Sequence, residues 1–328
     1  MTDSPMNVAD ASARPPLARR LRDWLLGGEG MLYLAFVVLV VVFSVASPVF
    51  LSLGNLENVG RQTALVTIVA VGMTFVIVSG EFDLSVGSVM ALSGVMAAMA
   101  MQSVAGHWLV GAVAALATGA TFGLVNGIIT TRFRIPSFLV TLGTLSIARG
   151  LALLITGTRP VIVTDETYWA IFGEGHFLGI PMPIVWTLVV VVGGMVLLHL
   201  STFGRKVYAT GGNATAARYS GINTARIKII GLALAGAMAG LAALVFSARS
   251  HAARPDVGAG LELDVITAVV LGGAALSGGR GLIIGAVVGS LMIGILNNGL
   301  VLLGVDSSVQ LAVKGLIIWV AVALSSRR

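Results

Sequence analysis

The chain of 328 residues has no cysteine, only 14 acidic residues and 10% charged residues in all. Each scarcity excludes something. Without cysteine there is no disulfide, no thiol nucleophile and no zinc–thiolate site. The four histidines, His107, His176, His199 and His251, stand far apart and show no metal-ligand spacing, so no metal site is expected. No G-x-x-x-x-G-K-[ST] segment occurs, so the chain does not hold ATP through a P-loop. The glycine-bearing stretches GTRPV, TGGN and SGGRG lack that spacing and read as turns. No triad-like set of nucleophile, base and acid suggests itself, and no catalytic residue is assigned. The net charge of +6 comes without a basic run interleaved with aromatics, so nucleic acid is not an expected partner.

What is abundant is apolar surface. Hydrophobic residues make up 57% of the chain, whereas a soluble domain carries about 25% charged residues. The apolar stretches are about 17–25 residues long, the length of a helix crossing a hydrocarbon core of about 30 Å. The alternating segments of about 10 residues that mark a membrane β-barrel are absent. The expectation is an all-α, polytopic membrane protein surrounded by lipid. Ten spans are read at 31–51, 63–79, 85–101, 108–130, 136–156, 183–202, 227–248, 264–277, 281–299 and 309–325. Residues 1–30 form a polar N-terminal tail. The stretch 31–51 is too long for a signal-peptide core of about 7–15 residues and is expected to be retained. Residues 31–328 form one transmembrane domain, with halves at about 31–156 and 183–325.

Basic residues fix the orientation, because they accumulate on the cytoplasmic side. With both termini inside, 14 of the 20 Lys and Arg fall on the inner side. The opposite orientation reverses that count. The loop at 157–182 then lies outside, with Asp165, Glu166 and Glu174 against Arg159 alone, and its aromatic and turn residues suit a short amphipathic helix. The inner loop at about 203–228 is basic and too polar to insert.

Two acids interrupt the apolar sequence at GEFDLSVG, residues 80–87, and two more at GLELDVIT, residues 260–267. Glu81 corresponds to Glu262 and Asp83 to Asp264, each 181 residues later, and these are four of the 14 acids. The segment GLVNGI at 123–128 is echoed by ILNNGL at 295–300. Each half reads as five spans. An odd-numbered repeat is inverted relative to its twin, and inverted repeats place a pathway at their interface, beside short or glycine-interrupted helices. The segments after each acidic pair are short and contain glycine. Acids in such places face protein or water, since hydrocarbon exposure costs at least about 2.5–3.5 kcal/mol. Asn126 and Asn298, inside apolar runs, either bond neighbouring helices or line the path. Lys314, one turn after Gln310, reads as snorkelling to the outer interface. The run GLALAGAMAGLAAL at 231–244 suits close helix packing.

The segments GEFDLSVGSVMALSG (80–94), FLVTLGTLSIARG (138–150), FGRKVYATGGNATAARYSGINTARIKI (203–229) and ELDVITAVVLGGAALSGGRGLIIGAVVGSLMIGILNNGLVLLGV (262–305) resemble the permease subunit of bacterial ABC importers for monosaccharides. These are the ribose, xylose, galactose and rhamnose-type permeases, with the autoinducer-2 permease as a close relative. The resemblance covers nearly the whole chain after residue 31. It implies a multi-pass protein of the bacterial inner membrane, without enzyme activity or bound cofactor of its own. It also implies a second permease copy or paralogue, a cytoplasmic ATPase subunit that binds ATP and Mg, and a periplasmic sugar-binding protein. The inner loop becomes the ATPase docking site. Within TAARYSG, Thr215, Ala216, Ala217 and Gly221 match the coupling motif of importers, with Thr215 where Glu is usual. Small residues there let a short helix lie in a groove of the ATPase, and Gly221 lets the chain turn away. Glu81, Asp83, Glu262 and Asp264 then line the route or hold the ends of broken helices. Two alternatives keep a different cargo or drive: an ABC permease for nucleosides or branched-chain amino acids, and an ion-coupled secondary transporter, against which the long inner loop argues.

Overall fold

The computed structural model describes residues 28–103 and 107–325. The chain builds a helical bundle, and thirteen helices follow one another among the described residues. These are α1 (Gly28–Ala46), α2 (Leu53–Val78), α3 (Val86–Ser103), α4 (Trp108–Phe133) and α5 (Ser137–Thr156). A short α6 (Glu166–Phe172) precedes α7, which runs from Met182 to Met195 and ends in a π turn at Val196–Leu200. Two short helices, α8 (Thr202–Gly212) and α9 (Ala214–Tyr219), lead into the long α10 (Thr224–Ser250). The chain closes with α11 (Leu261–Leu271), α12 (Ile283–Leu302) and α13 (Ser307–Ser325). Strands are minimal: β1 (Val161–Ile162) pairs antiparallel with β4 (Ala252–Ala253), and β2 (His176–Phe177) with β3 (Ile180–Pro181).

Seven of these helices, α2, α3, α4, α5, α7, α10 and α12, are long and apolar enough to cross a membrane. Their burial sorts them into a centre and a rim. In α2, 83% of the most apolar stretch is inside the protein, against 22% in α5 and in α7. The rim helices turn large apolar side chains outward, such as Leu139, Leu154 and Val192. That surface suits lipid and would be prohibitive in water.

The bundle has two ends. One carries the basic segment 201–223 together with the α4–α5 turn; the other carries α6 and the two strand pairs. Four helices pass between them at the centre. One tight crossing is α4 on α10, made by glycines spaced four apart. A Cβ on Gly119 would stand 2.1 Å from the Gly236 carbonyl oxygen, and a Cβ on Gly236 would stand 2.1 Å from that of Gly119. Gly123 meets the Leu232 carbonyl and Gly240 the Ala115 carbonyl in the same way. The small-residue run at 231–244 thus serves close packing, with the glycines at 119, 123 and 127 as its counterpart.

Two expected spans and one expected loop change. The first, expected at 31–51, is helical over Gly28–Ala46 and gives way to turns around Ser47–Ser52. The stretch 264–277 is not a span: α11 has 11 residues, about 16 Å at 1.5 Å per residue, roughly half a hydrocarbon core. Gly272, Gly273 and the turn at 275–280 end it. The loop at 203–228 is itself helical, as α8 and α9, each capped by a side chain: Ser201 accepts from the Gly204 N–H, and Asn213 from the Thr215 and Ala216 N–H groups. The tail before residue 28 lies outside the described residues.

Candidate functional site

Helix α2 ends at Val78, and Gly80 takes a left-handed turn (φ 83°) that breaks the helix. Residues 81–85 are then non-helical, with a bend at Leu84, before α3 begins at Val86. Non-helical backbone inside an apolar bundle leaves N–H groups needing acceptors. The neighbouring α5 supplies them. Ser137 Oγ accepts from the Phe82 N–H at 2.9 Å, and Thr141 Oγ1 accepts from the Leu84 N–H at 3.0 Å. Asp83 is 1% exposed and accepts from both the Ser85 N–H (2.8 Å) and the Ser85 hydroxyl (2.6 Å). Asn126 of α4 donates to Ser85 Oγ at 3.1 Å and accepts from the Thr144 hydroxyl. The chain Asp83–Ser85–Asn126–Thr144 is buried throughout. It pins the break to α4 and α5.

Glu81 sits at the edge of this break and forms an ion pair with Lys228 in the first turns of α10. The pair lines a cavity of about 360 Å³ at the basic end, which Ala214 and Arg218 of α9 also border.

The second break lies at 251–260, between α10 and α11. Gly258 (φ 76°) and Gly260 (φ 81°) turn the chain, and α11 starts at Leu261. Glu262 and Asp264 are therefore in the first turn of α11, inside the helix that the sequence placed after them. Arg149, in the middle of α5, donates from one terminal nitrogen to the Pro255 carbonyl (2.7 Å) and the Val257 carbonyl (2.8 Å). Lys314 Nζ of α13 lies 3.0 Å from Asp264 Oδ2. This corrects the snorkelling expectation: Lys314 turns inward to a carboxylate.

The two breaks touch. A Cβ on Gly87, in the first turn of α3, would stand 2.1 Å from the Gly258 carbonyl and 2.6 Å from a Glu262 carboxylate oxygen. Two helix N-termini therefore meet inside the bundle. From that point α3 rises to the end of the bundle with β1, where Gln102 bonds the Ile162 carbonyl. Helix α11 leads to the basic end, where the Gly279 N–H bonds the Val78 carbonyl.

Asn298 is elsewhere. It exchanges two amide hydrogen bonds with Asn55 of α2, at 3.0 and 2.9 Å, and is 3% exposed. Asn126 is fully buried. Both asparagines bond neighbouring helices. Of the coupling-motif residues, Thr215, Ala216 and Ala217 lie on α9, and Gly221 (φ 82°) makes the turn that leaves it.

At the far end, α6 is capped by Asp165 and inserts Tyr168 and Phe172 into the core. The Tyr168 hydroxyl meets Ser247 Oγ at 2.7 Å, and burial pushes its pKa well above the ordinary phenol range. His251, just past α10, stacks on Trp169 with centroids 4.0 Å apart and contacts Glu174 at 2.8 Å. With the β1–β4 pair, these contacts clasp the 157–182 loop to the second break. A cavity of about 400 Å³ opens beside them, lined by Gln62, Leu65, Phe246, Arg249 and Ser250.

Sequence reasoning singled out the acids and missed the residues that hold the breaks around them: Ser85, Ser137, Thr141, Thr144, Arg149 and Lys228. One signal was available. The buried residues of α5 are Ser137, Thr141, Thr144, Ala148 and Ala152, a small and hydroxylic stripe at helical spacing on an otherwise apolar helix. Among the described residues no cluster of His, Asp and Glu could hold a metal ion.

The family described as "Branched-chain amino acid transport system / permease component" matches residues 55–322. The ribose import permease of Bacillus subtilis (strain 168) is 43% identical over 301 residues, 90% of this chain and 92% of that protein. The ribose import permease of Escherichia coli (strain K12) is 42% identical over 311 residues, 94% of this chain and 96% of that protein. The L-arabinose ABC transporter permease of Azospirillum brasilense is 37% identical over 322 residues, 97% of this chain and 93% of that protein. No solved structure matches. A bundle of membrane-length helices, broken twice at polar sites and alike from end to end to these permeases, belongs to the family of membrane permease subunits of ABC importers, multi-pass proteins of the inner membrane.

Proposed function

We propose that this chain is the membrane permease of an importer for a monosaccharide, driven by ATP that a separate ATPase subunit binds with Mg and hydrolyses. The observation that carries the cargo class is the likeness, over nine-tenths of the chain or more, to permeases named for ribose and L-arabinose. In this reading about ten helices form two inverted five-helix repeats, and two permease chains flank a central path. Both termini lie in the cytoplasm. The end with α6 and the β1–β4 clasp receives sugar from a periplasmic binding protein. Helix α9 docks on the ATPase.

The geometry supports a route for the coupling. Helix α9 joins α10 through the Gly221 turn, and Lys228, in the first turns of α10, holds Glu81 at the first break. A shift of α9 driven by ATP therefore reaches the break through a few rigid contacts. Asp83 is sealed in its hydroxyl network and positions backbone; Glu81 and Lys228 border open space and face the inner exit of the path. Asp264 and Glu262 hold the start of α11.

Reconstitution with the cognate ATPase and binding protein tests this. ATP-dependent uptake of ribose or arabinose is the expected result. Uptake of leucine or a nucleoside in place of sugar would shift the cargo to the class in the family description. Uptake that survives loss of the ATPase and collapses with the ion gradient would replace the drive. Asp83→Asn keeps an oxygen that accepts both Ser85 donors but buries an NH2 in place of the second carboxylate oxygen, so it lowers uptake several-fold while the permease still assembles with its ATPase. Unchanged uptake would remove Asp83 from the coupling route.

A further inference from the structure

The cavity at the basic end holds more than coupling requires. Glu81, Thr130, Arg134, Arg218, Thr224 and Lys228 line it. Lys228 and Glu81 neutralise each other, which leaves two guanidinium groups on one concavity. Arg134 follows α4 in a left-handed conformation (φ 57°) that a non-glycine residue seldom adopts, and it has no hydrogen-bond or ion-pair partner among the described residues. Arg218 spends only Nε, on the Ala214 carbonyl, and its terminal nitrogens have no partner among the described residues. A general excess of bases at the cytoplasmic side puts arginines near that surface; it does not converge them on one cavity.

Three further features point to a ligand. Thr130 is buried, and its hydroxyl has no hydrogen-bond partner. Two long helices start at the rim. Helix α5 begins after Pro136 with no side-chain cap, and the Asn223 cap of α10 bonds only the Arg226 N–H, so first-turn amides of both helices are unbonded by caps. Such N-termini favour anions. The volume, about 360 Å³, falls within the range of small-molecule sites, about 300–1,000 Å³. Two guanidinium groups suit a phosphate. The unpartnered Thr130 hydroxyl suits a hydroxyl of a small polyol.

We propose that this cavity binds a phosphate monoester of a small polyol. Resting on the sugar-import reading, this ligand is the product of the phosphoryl-transfer reaction that follows import. Bound between Arg134 of the α4–α5 turn and Arg218 of α9, the ester ties the docking helix to the bundle and slows the transport cycle when product accumulates. The same phosphate chemistry is offered by an anionic lipid headgroup at this surface.

The test uses the permease–ATPase complex in phosphatidylcholine nanodiscs, with ribose 5-phosphate, ribose and inorganic phosphate as calorimetric probes. Ribose 5-phosphate binds saturably and at least about ten-fold more tightly than ribose. Arg134→Ala weakens it at least about ten-fold, the effect of losing one charge-assisted contact, and Arg134→Lys restores part of it. In a second arm, phosphatidylglycerol replaces part of the lipid. If the soluble ester fails to bind but phosphatidylglycerol raises the melting temperature of the parent protein and not of Arg134→Ala, the phosphate is borne by lipid. If neither probe acts through Arg134, the site is refuted. ATP-driven ribose uptake by the same complex reconstituted in proteoliposomes separates the two readings. Normal uptake that ribose 5-phosphate leaves untouched sinks this inference alone, whereas failure to import any monosaccharide sinks the reading beneath it.

Discussion

The two helix breaks solve one problem with different chemistry. At 80–86 the strays of backbone and the carboxylate of Asp83 are met by hydroxyls and an amide from α4 and α5. At 255–264 the work falls to charges: Arg149 holds two carbonyls, and Lys314 meets Asp264. A sealed hydroxyl network has short bonds and little rotamer freedom. An ion pair on long side chains, part-exposed at 26% and 17%, tolerates being stretched. The first break is therefore the fixed member and the second the adaptable one. An inverted repeat with identical breaks would have no such division.

Substitutions at the contact between the breaks have the largest expected effect. Gly87→Leu drives a side chain into the Gly258 backbone, which has no rotamer by which to yield. Uptake is abolished and stability falls by about 3 kcal/mol, at the upper end of overpacking costs, read from thermal melting of the purified protein. A variant that melts and transports normally would show that the breaks need not touch. Next, Asp83→Leu strands the Ser85 N–H and hydroxyl without their acceptor, costing about 2–3 kcal/mol. Smallest is Lys314→Met, which leaves Asp264 without its cation at a part-exposed site. It costs about 1–2 kcal/mol, less than a fully buried pair would, and adding Asp264→Asn recovers most of the loss. If Lys314→Met proves more damaging than Asp83→Leu, the division between fixed and adaptable breaks is reversed.

Much of this was legible in the residues. Apolar runs of membrane length, basic loops and the two acidic interruptions gave the class, most of the helices and the location of both breaks. Contacts were harder. Arg149, Lys228 and Lys314 lie 106, 147 and 50 residues from the nearest group they hold. A cation inside a span looks the same in sequence whether it snorkels to the interface or turns to a carboxylate. The limits of α11 escaped because Gly272 and Gly273 resemble the many glycines tolerated inside membrane helices. Only packing decides that these two end the helix. The hydroxyl stripe of α5 was visible, but its target, a non-helical segment 55 residues earlier, was not.

Helix α10 runs from the docking turn to the clasp, 27 residues, or about 40 Å. It touches α4 backbone to backbone through glycines. At the Gly119–Gly236 contact no side chain stands between the two helices, so nothing there is compressible and α10 acts as a stiff lever on a fixed fulcrum. Levers work from either end. In the proposed importer, any free energy by which ATPase docking biases the clasp must equal the free energy by which cargo delivery at the clasp biases docking. Under that proposal, arrival of a loaded delivery protein outside and readiness of the motor inside are one thermodynamic quantity measured at two ends of a single helix.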